Sequence, residues 1–265
     1  MNLTTIATLK KQKEKGEKIA CLTAYDYSFA SLLDRNEVDV VLVGDSLGMV
    51  IQGHDTPVPV SLEECIYHTK CVSRGVEKAM LIGDLPFGSY QVSKEQALKS
   101  SVRLMQEGGA QLIKYEGGKH MVEVTDFLTT RGIAVCGHMG LTPQSVNQFG
   151  GFKVQGRGDA GEQLLDEAIS LEQAGVSMLI LEAIPKDLAK KITQALTIPT
   201  IGIGAGVECD GQILVLQDML GIYPEGSPKF SKNFMQGADS IDQAVANYVS
   251  SVKNGEFPEL KHSFS

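Results

Sequence analysis

The chain has 265 residues, 43% of them hydrophobic and 6% aromatic, and its 32 acidic and 24 basic residues give a net charge of −8. That is enough apolar material for one substantial core and suits a single β/α barrel over residues 1–265, while the acidic balance argues against nucleic acid as a partner. Charges and glycines break each apolar run well short of a membrane span, the Lys/Glu-mixed N-terminus reads as neither secretion signal nor transit peptide, and five cysteines without a C-x-x-C pair indicate neither a disulfide framework nor a zinc ribbon; a reducing cytoplasm is expected.

Residues 1–15 read as an amphipathic helix around Ile6 and Leu9, with covering the barrel floor and fraying both open. Eight short β-branched runs follow, at 19–26, 38–46, 78–86, 110–118, 133–140, 177–185, 198–206 and 213–221. Helix-like segments lie between them at 62–75, 94–108, 161–174 and 185–196, with Gly, Pro or polar turn residues near their ends. Such alternation is the pattern of parallel βαβ units, and eight strands close a barrel, so the expected fold is α/β, a (β/α)8 barrel. The last connection is the tightest, with room for a single helical turn around 208–212 between the seventh and eighth strands.

Two long loops, 53–61 after the second strand and 140–159 after the fifth, emerge on the face where barrel enzymes place their chemistry. They suit lids or subunit contacts; a disordered excursion is also open for the second. The glycine-rich GIGAG at 202–206 reads equally well as a tight turn or as a close backbone approach to a ligand.

Barrel strands are buried on both faces, so ionisable residues at their ends call for explanation. Asp45, Asp84, Lys114, Glu116, His138 and Glu182 all stand there. An Asp after Gly can simply cap the next helix, but Lys114 and Glu182 are not capping types. Lys114 and Glu116 are two apart on one strand and face the same side, either as a plain ion pair or as part of a cross-barrel metal site. Carboxylates meeting at one mouth repel each other unless a cation joins them, and an all-oxygen ligand set of Asp45, Asp84 and Glu116 favours Mg²⁺. A metal with open positions can chelate a 2-oxo acid and stabilise the enolate left by proton loss. Glu182, set apart from the ligands, is then the expected base. His138 is expected to contact substrate more than metal.

Several longer strings carry a specific resemblance: TAYDYSFA (23–30), LVGDSLGMVIQGHDTPVPVS (42–61), GDLPFGSY (83–90), KYEGG (114–118), GHMGLTPQSVNQFGGFKVQG (137–156), LEAIP (181–185) and IGIGAG (201–206). Over nearly its whole length the chain resembles the ketopantoate hydroxymethyltransferase family, also named 3-methyl-2-oxobutanoate hydroxymethyltransferase. The resemblance implies a barrel of the phosphoenolpyruvate/pyruvate type that moves a one-carbon unit from 5,10-methylenetetrahydrofolate to 3-methyl-2-oxobutanoate, giving 2-dehydropantoate in pantothenate synthesis. It implies Mg²⁺ on Asp45, Asp84 and Glu116, oxo-acid contacts from Asp45, Ser46, Asp84, Lys114 and His138, and Glu182 as proton acceptor. Folate as co-substrate and a homodecamer come from the resemblance alone. A metal-dependent C–C lyase for another 2-oxo acid is the alternative within the same superfold, and a non-catalytic carboxylate binder is the alternative outside it.

Overall fold

Alternation of side chains along each strand decides how this chain closes on itself. The strands are β1 (Ile19–Thr23), β2 (Val40–Val43), β3 (Met80–Asp84), β4 (Leu112–Glu116), β5 (Val135–Gly140), β6 (Met178–Glu182), β7 (Thr200–Ile203) and β8 (Gly211–Leu214). In the computed structural model, which describes residues 3–224 and 226–265, all eight are parallel and paired in chain order, with β8 returning to β1. Inward positions such as Cys21, Val40, Ile82, Leu112, Cys136 and Ile180 fill the barrel as one apolar cluster. The intervening residues, among them Leu22, Val41, Ile113 and Leu179, face outward against the helices. The predicted (β/α)8 barrel is therefore the fold, and both strand faces are buried as a parallel barrel requires.

The helices are α1 (Ile6–Lys15), α2 (Tyr27–Arg35), α3 (Leu47–Val50), α4 (Leu62–Ser73), α5 (Lys94–Gln106), α6 (Val122–Thr129), α7 (Val146–Phe149), α8 (Asp159–Gln173), α9 (Lys186–Ala195), α10 (Leu216–Leu220) and α11 (Ile241–Lys253). Local chemistry sets several starts. Asp26, Ser61 and Ser93 each accept the third backbone N–H of the helix they precede, and Glu64 completes a capping box with Ser61. Helix α1, capped by Thr5, drives Leu9, 1% exposed, into the apolar cluster inside the barrel, so it covers the floor. Met1 and Asn2 of the predicted N-terminal helix lie outside the described residues.

The eighth strand needs correction. It runs over Gly211–Leu214, not 213–221, and residues 216–220 of the same apolar run coil into α10, which ends at Gly221 in a left-handed conformation with φ 66°. A continuous apolar stretch carries no period to separate strand from helix. The expected helical turn around 208–212 is absent too, because Gly211 and Gln212 already belong to β8. Gly211 permits this: a Cβ there would sit 2.4 Å from the Ile19 carbonyl oxygen. The helical layer over the β8–β1 seam comes from α11, whose Tyr248 hydroxyl donates to the carbonyls of Cys21 (2.8 Å) and Gln212 (3.0 Å).

Leu9→Ala removes the largest side chain that α1 places inside the floor and leaves a cavity there. It should lower unfolding free energy by about 2–4 kcal/mol, read from urea denaturation; a loss below about 0.5 kcal/mol would mean that α1 is not part of the core.

Candidate active site at the barrel mouth

The inward parity that fills the barrel with Met80 and Ile82, Leu112, Cys136, and Met178 and Ile180 continues to the strand ends as Asp84, Lys114 and Glu116, His138, and Glu182. Register then sets neighbours: Asp84 pairs with Lys114 between β3 and β4, and Glu116 with His138 between β4 and β5. Glu182 is fixed by its own corner. Its carbonyl accepts from the Leu141 amide at 2.8 Å, and Ala183 after it takes a φ of 46°, rare for a residue with a Cβ.

Asp45 arrives differently. It lies beyond β2, where the chain turns into α3, and its backbone N–H donates to Asp84 Oδ2 at 3.1 Å. Ser46 beside it shares a 2.8 Å hydrogen bond with the Tyr25 hydroxyl. Lys114 Nζ donates to Asp84 Oδ2 at 2.7 Å and stands 3.7 Å from Glu116 Oε1, so its principal partner is Asp84 and not its strand neighbour. The imidazole of His138 lies between two acids, with Nδ1 3.3 Å from Glu116 Oε1 and Nε2 3.1 Å from Glu182 Oε2. Neither approach has hydrogen-bond alignment.

The charges are deeply buried. Asp45, Asp84, Lys114, Glu116 and His138 each retain 4% exposure or less. Burial, and then the charge of Asp84, holds the Asp45 carboxyl well above the usual range. Burial also raises Asp84, against the pull of Lys114. Burial works the same way on Glu116 but is outweighed by Lys114 and His138, which leave it lowered. Lys114 is held protonated: burial opposes its charge, and Asp84, Glu116 and Asp45 together more than restore it. For His138, burial and Lys114 oppose protonation, while Glu116 and Glu182 carry it up to about 9.

Two buried oxygens, Asp84 Oδ1 and Glu116 Oε1, have no hydrogen-bond partner. An ionised carboxylate can only accept, so these atoms call for a proton, a water or a cation. No three of the described His, Cys, Asp and Glu side chains form a ready-made cation cage. The set instead suits a hard divalent ion that takes a few carboxylate oxygens and leaves its other positions to water and substrate.

Sequence reasoning missed three residues. Gln144, in the short turn Pro143–Ser145 after β5, ties the acids together: its Nε2 donates to Asp45 Oδ2 (2.8 Å) and its backbone N–H to Glu116 Oε2 (2.9 Å). The Tyr90 hydroxyl donates to Gln144 Oε1 at 2.7 Å. As neutral side chains, neither announces itself among ionisable candidates, although Gln144 lies directly after the proline of the 140–159 loop. The third is Asp218 on α10, hidden inside the run misread as strand. The 140–159 segment itself is neither a bare loop nor a disordered excursion; it carries the Pro143–Ser145 turn, α7 and the start of α8, and brings Leu141, Pro143 and Phe152 to the mouth. The GIGAG segment serves as the turn out of β7, with Gly204 and Gly206 at φ 66° and 91°.

A cavity of about 340 Å³ opens over these groups. One side carries Asp45, Ser46, Asp84, Lys114, Glu116 and His138; the other is walled by apolar side chains from β7, β8 and the segment after α10, with Asp218 among them. Burial, then Glu182, pushes the Asp218 carboxyl from 3.8 up to about 6.

Comparison with known proteins gives this geometry a lineage. The family model for ketopantoate hydroxymethyltransferase matches residues 3–260. The chain belongs to the ketopantoate hydroxymethyltransferase family. It is 55% identical to the 3-methyl-2-oxobutanoate hydroxymethyltransferase of Neisseria meningitidis serogroup A, covering 99% of this chain and 100% of that protein. It is 57% identical to the protein of the same name from Thiobacillus denitrificans, covering 98% of this chain and 99% of the other. Against relatives so named, the lyase alternative is not favoured. Among solved structures the fold is similar to phosphonopyruvate hydrolase in complex with oxalate and Mg²⁺ (TM-score 0.60, 12% identity, 80% of this chain and 81% of that one). It is also similar to 2,3-dimethylmalate lyase, a member of the PEP mutase/isocitrate lyase superfamily (TM-score 0.56, 13% identity, 80% and 81%). At these identities the likeness is one of fold. No helix among the described residues is long and apolar enough to cross a membrane.

Because the folded state raises the Asp218 pKa, ionising this carboxylate costs stability, and the cost sets in as pH climbs from about 4, its unfolded value, through about 6. Asp218→Asn should therefore match the parent in melting temperature at the acid end of that window and exceed it increasingly up to about pH 7. A melting-temperature difference that stays flat with pH would show that Asp218 is not desolvated.

Proposed function

We propose that the chain transfers a hydroxymethyl group from 5,10-methylenetetrahydrofolate to 3-methyl-2-oxobutanoate, forming 2-dehydropantoate for pantothenate synthesis. The observation that carries this reading is the division of labour among the acids at the mouth. Asp45, Asp84 and Glu116 cluster around Lys114, with two oxygens lacking partners, while Glu182 stands outside that cluster, in the lining of the same cavity and against His138.

In this reading Asp45, Asp84 and Glu116 would hold Mg²⁺, and the ion would supply Lewis acidity toward the 2-oxo acid. Lys114 adds a fixed positive charge beside the substrate oxygens, and the Ser46 hydroxyl, anchored by Tyr25, donates or accepts at the edge of the substrate. Glu182 takes the proton from C3. His138 holds the Glu182 carboxylate in place, its own charge sustained by Glu116 on the other side. The carbon that has lost its proton then bonds to the methylene carbon of the folate as one of that carbon's two C–N bonds breaks; water takes the place of the second nitrogen, and the C3 proton and one water proton end on the two freed nitrogens, giving the hydroxymethyl product and tetrahydrofolate. The apolar wall opposite the acids keeps bulk water from the carbanionic carbon before that bond forms.

The proposed compartment is the cytoplasm, where the five free cysteines would stay reduced, and the proposed working assembly is a homodecamer. Light scattering on a gel-filtration peak should return the mass of ten chains; a monomer mass would end that proposal.

Glu182→Gln keeps the size and removes the base. The variant should bind Mg²⁺ and 3-methyl-2-oxobutanoate as the parent does, yet exchange the C3 proton with deuterated water about 10²–10⁴-fold more slowly. Unchanged exchange, followed by NMR, would remove Glu182 from the proton-transfer step. Chelation of divalent metal should stop exchange in the parent, and added Mg²⁺ should restore it; exchange that is indifferent to chelator would rule the metal out.

A further inference from the structure

The acids of the mouth are not equally occupied. Asp45 accepts from Gln144, Asp84 from Lys114, Glu116 from the Gln144 amide, and Glu182 stands against His138. Asp218 differs from all of them. It is 6% exposed and lines the same cavity, but no hydrogen bond or ion pair reaches its carboxylate among the described residues. Around it the wall is apolar and partly aromatic, formed by Ile203, Ile213, Val215, Tyr223, Pro228 and Phe230. Asp218 is also near enough to Glu182 to feel its charge. A buried carboxylate without a donor is expensive to keep, and such groups persist where a ligand supplies the missing hydrogen bonds.

The chemistry of that missing ligand follows from the surroundings. An ammonium or guanidinium on a flexible chain would leave the aromatic and aliphatic wall unused. A flat heteroaromatic ring with two adjacent N–H donors on one edge would stack on the wall and present both donors to the two carboxylate oxygens. The 2-amino-4-oxopyrimidine edge of a pterin has that pattern, with N3–H beside the exocyclic amino group. We propose that Asp218 anchors the pterin ring of the one-carbon donor, which places its methylene carbon on the Glu182 side of the bound 2-oxo acid. This rests on the reaction proposed above, in which the donor is a folate. The cavity then divides by chemistry, with the metal-chelating substrate on the β2–β5 side and the ring donor on the β7–β8 side.

Asp218→Asn tests the assignment, because an amide offers one acceptor where the carboxylate offers two and carries no charge. The variant should raise the KM for 5,10-methylenetetrahydrofolate and weaken tetrahydrofolate binding, titrated calorimetrically, by about tenfold or more. The KM for 3-methyl-2-oxobutanoate should stay within about twofold, the scatter expected of a residue that does not touch it. Folate-independent exchange of the C3 proton should persist, which also reports that the variant is folded. Turnover with formaldehyde in place of the folate, which has no ring to anchor, should fall far less than turnover with the folate. An unchanged KM for the folate, with the parent active, overturns the assignment and leaves the reaction standing. Loss of C3 exchange in the variant also overturns it, because Asp218 would then serve the Glu182 proton. A parent that turns over no folate overturns the proposed reaction together with the assignment.

Discussion

The site depends on one ammonium group placed among carboxylates that have little water. Lys114 Nζ, 2.7 Å from Asp84 and 3.7 Å from Glu116, keeps two of the acids from meeting as bare like charges inside a closed barrel. In water such a pair is worth little, but where water is excluded each charge acts several times more strongly, and removing either partner leaves the other stranded. The compensation is incomplete, since the carboxylates still outnumber the cations. Burial first, and then the neighbouring like charges, keep Asp45 and Asp84 raised, and two acceptor oxygens have no hydrogen-bond partner. The mouth is an electrostatic arrangement lacking one positive contribution, and a divalent ion is of the right size and hardness to supply it.

The polar half can persist because the rest of the barrel does not compromise. Below the charged layer the interior is apolar down to Leu9 of α1, and the outward strand residues are sealed by the helices. Steric rigidity of that kind holds Asp84 against Lys114, and Glu116 against His138, through strand register alone. Gln144 does what register cannot. It joins Asp45 on the β2 side to Glu116 on β4 from a turn after β5, so one neutral side chain and its own backbone amide brace two acids.

Much of this was legible in the sequence, for identifiable reasons. Parity along a strand put Lys114 and Glu116 on one face, and Asp45 and Asp84 stood out as charges closing apolar runs. The N-terminal helix could be read from Ile6 and Leu9, while the choice between covering the floor and fraying is made only by the place of Leu9 inside the barrel. What escaped did so because the relevant signal is not local. The partner of Lys114 is across the sheet, so the sequence offered a same-strand ion pair with Glu116 or a share in a metal site, and not the observed contact with Asp84. Asp45 did not escape, although it enters the site through a turn where parity has no meaning. Asp218 lay in a run whose apolarity fits strand and helix alike, and only β8 pairing with β1 from Gly211 onward reveals that the chain has left the sheet before it.

The seam between β8 and β1 has a kinetic side. The Tyr248 hydroxyl bridges Cys21 and Gln212, reaching across 227 residues to the first of them. Contacts of such separation are the slowest to form, because the intervening chain must be ordered first. Asp45, Asp84, Lys114 and Glu116 all lie in the first half of the sequence and meet water freely while the sheet is open. Their cavity is walled in part by Ile203, Ile213 and Leu214 of the last two strands and by the segment after α10. The electrostatic cost of burying this charged cluster is thus met only when the barrel closes, because the apolar wall beside it comes from the last strands and the chain after them.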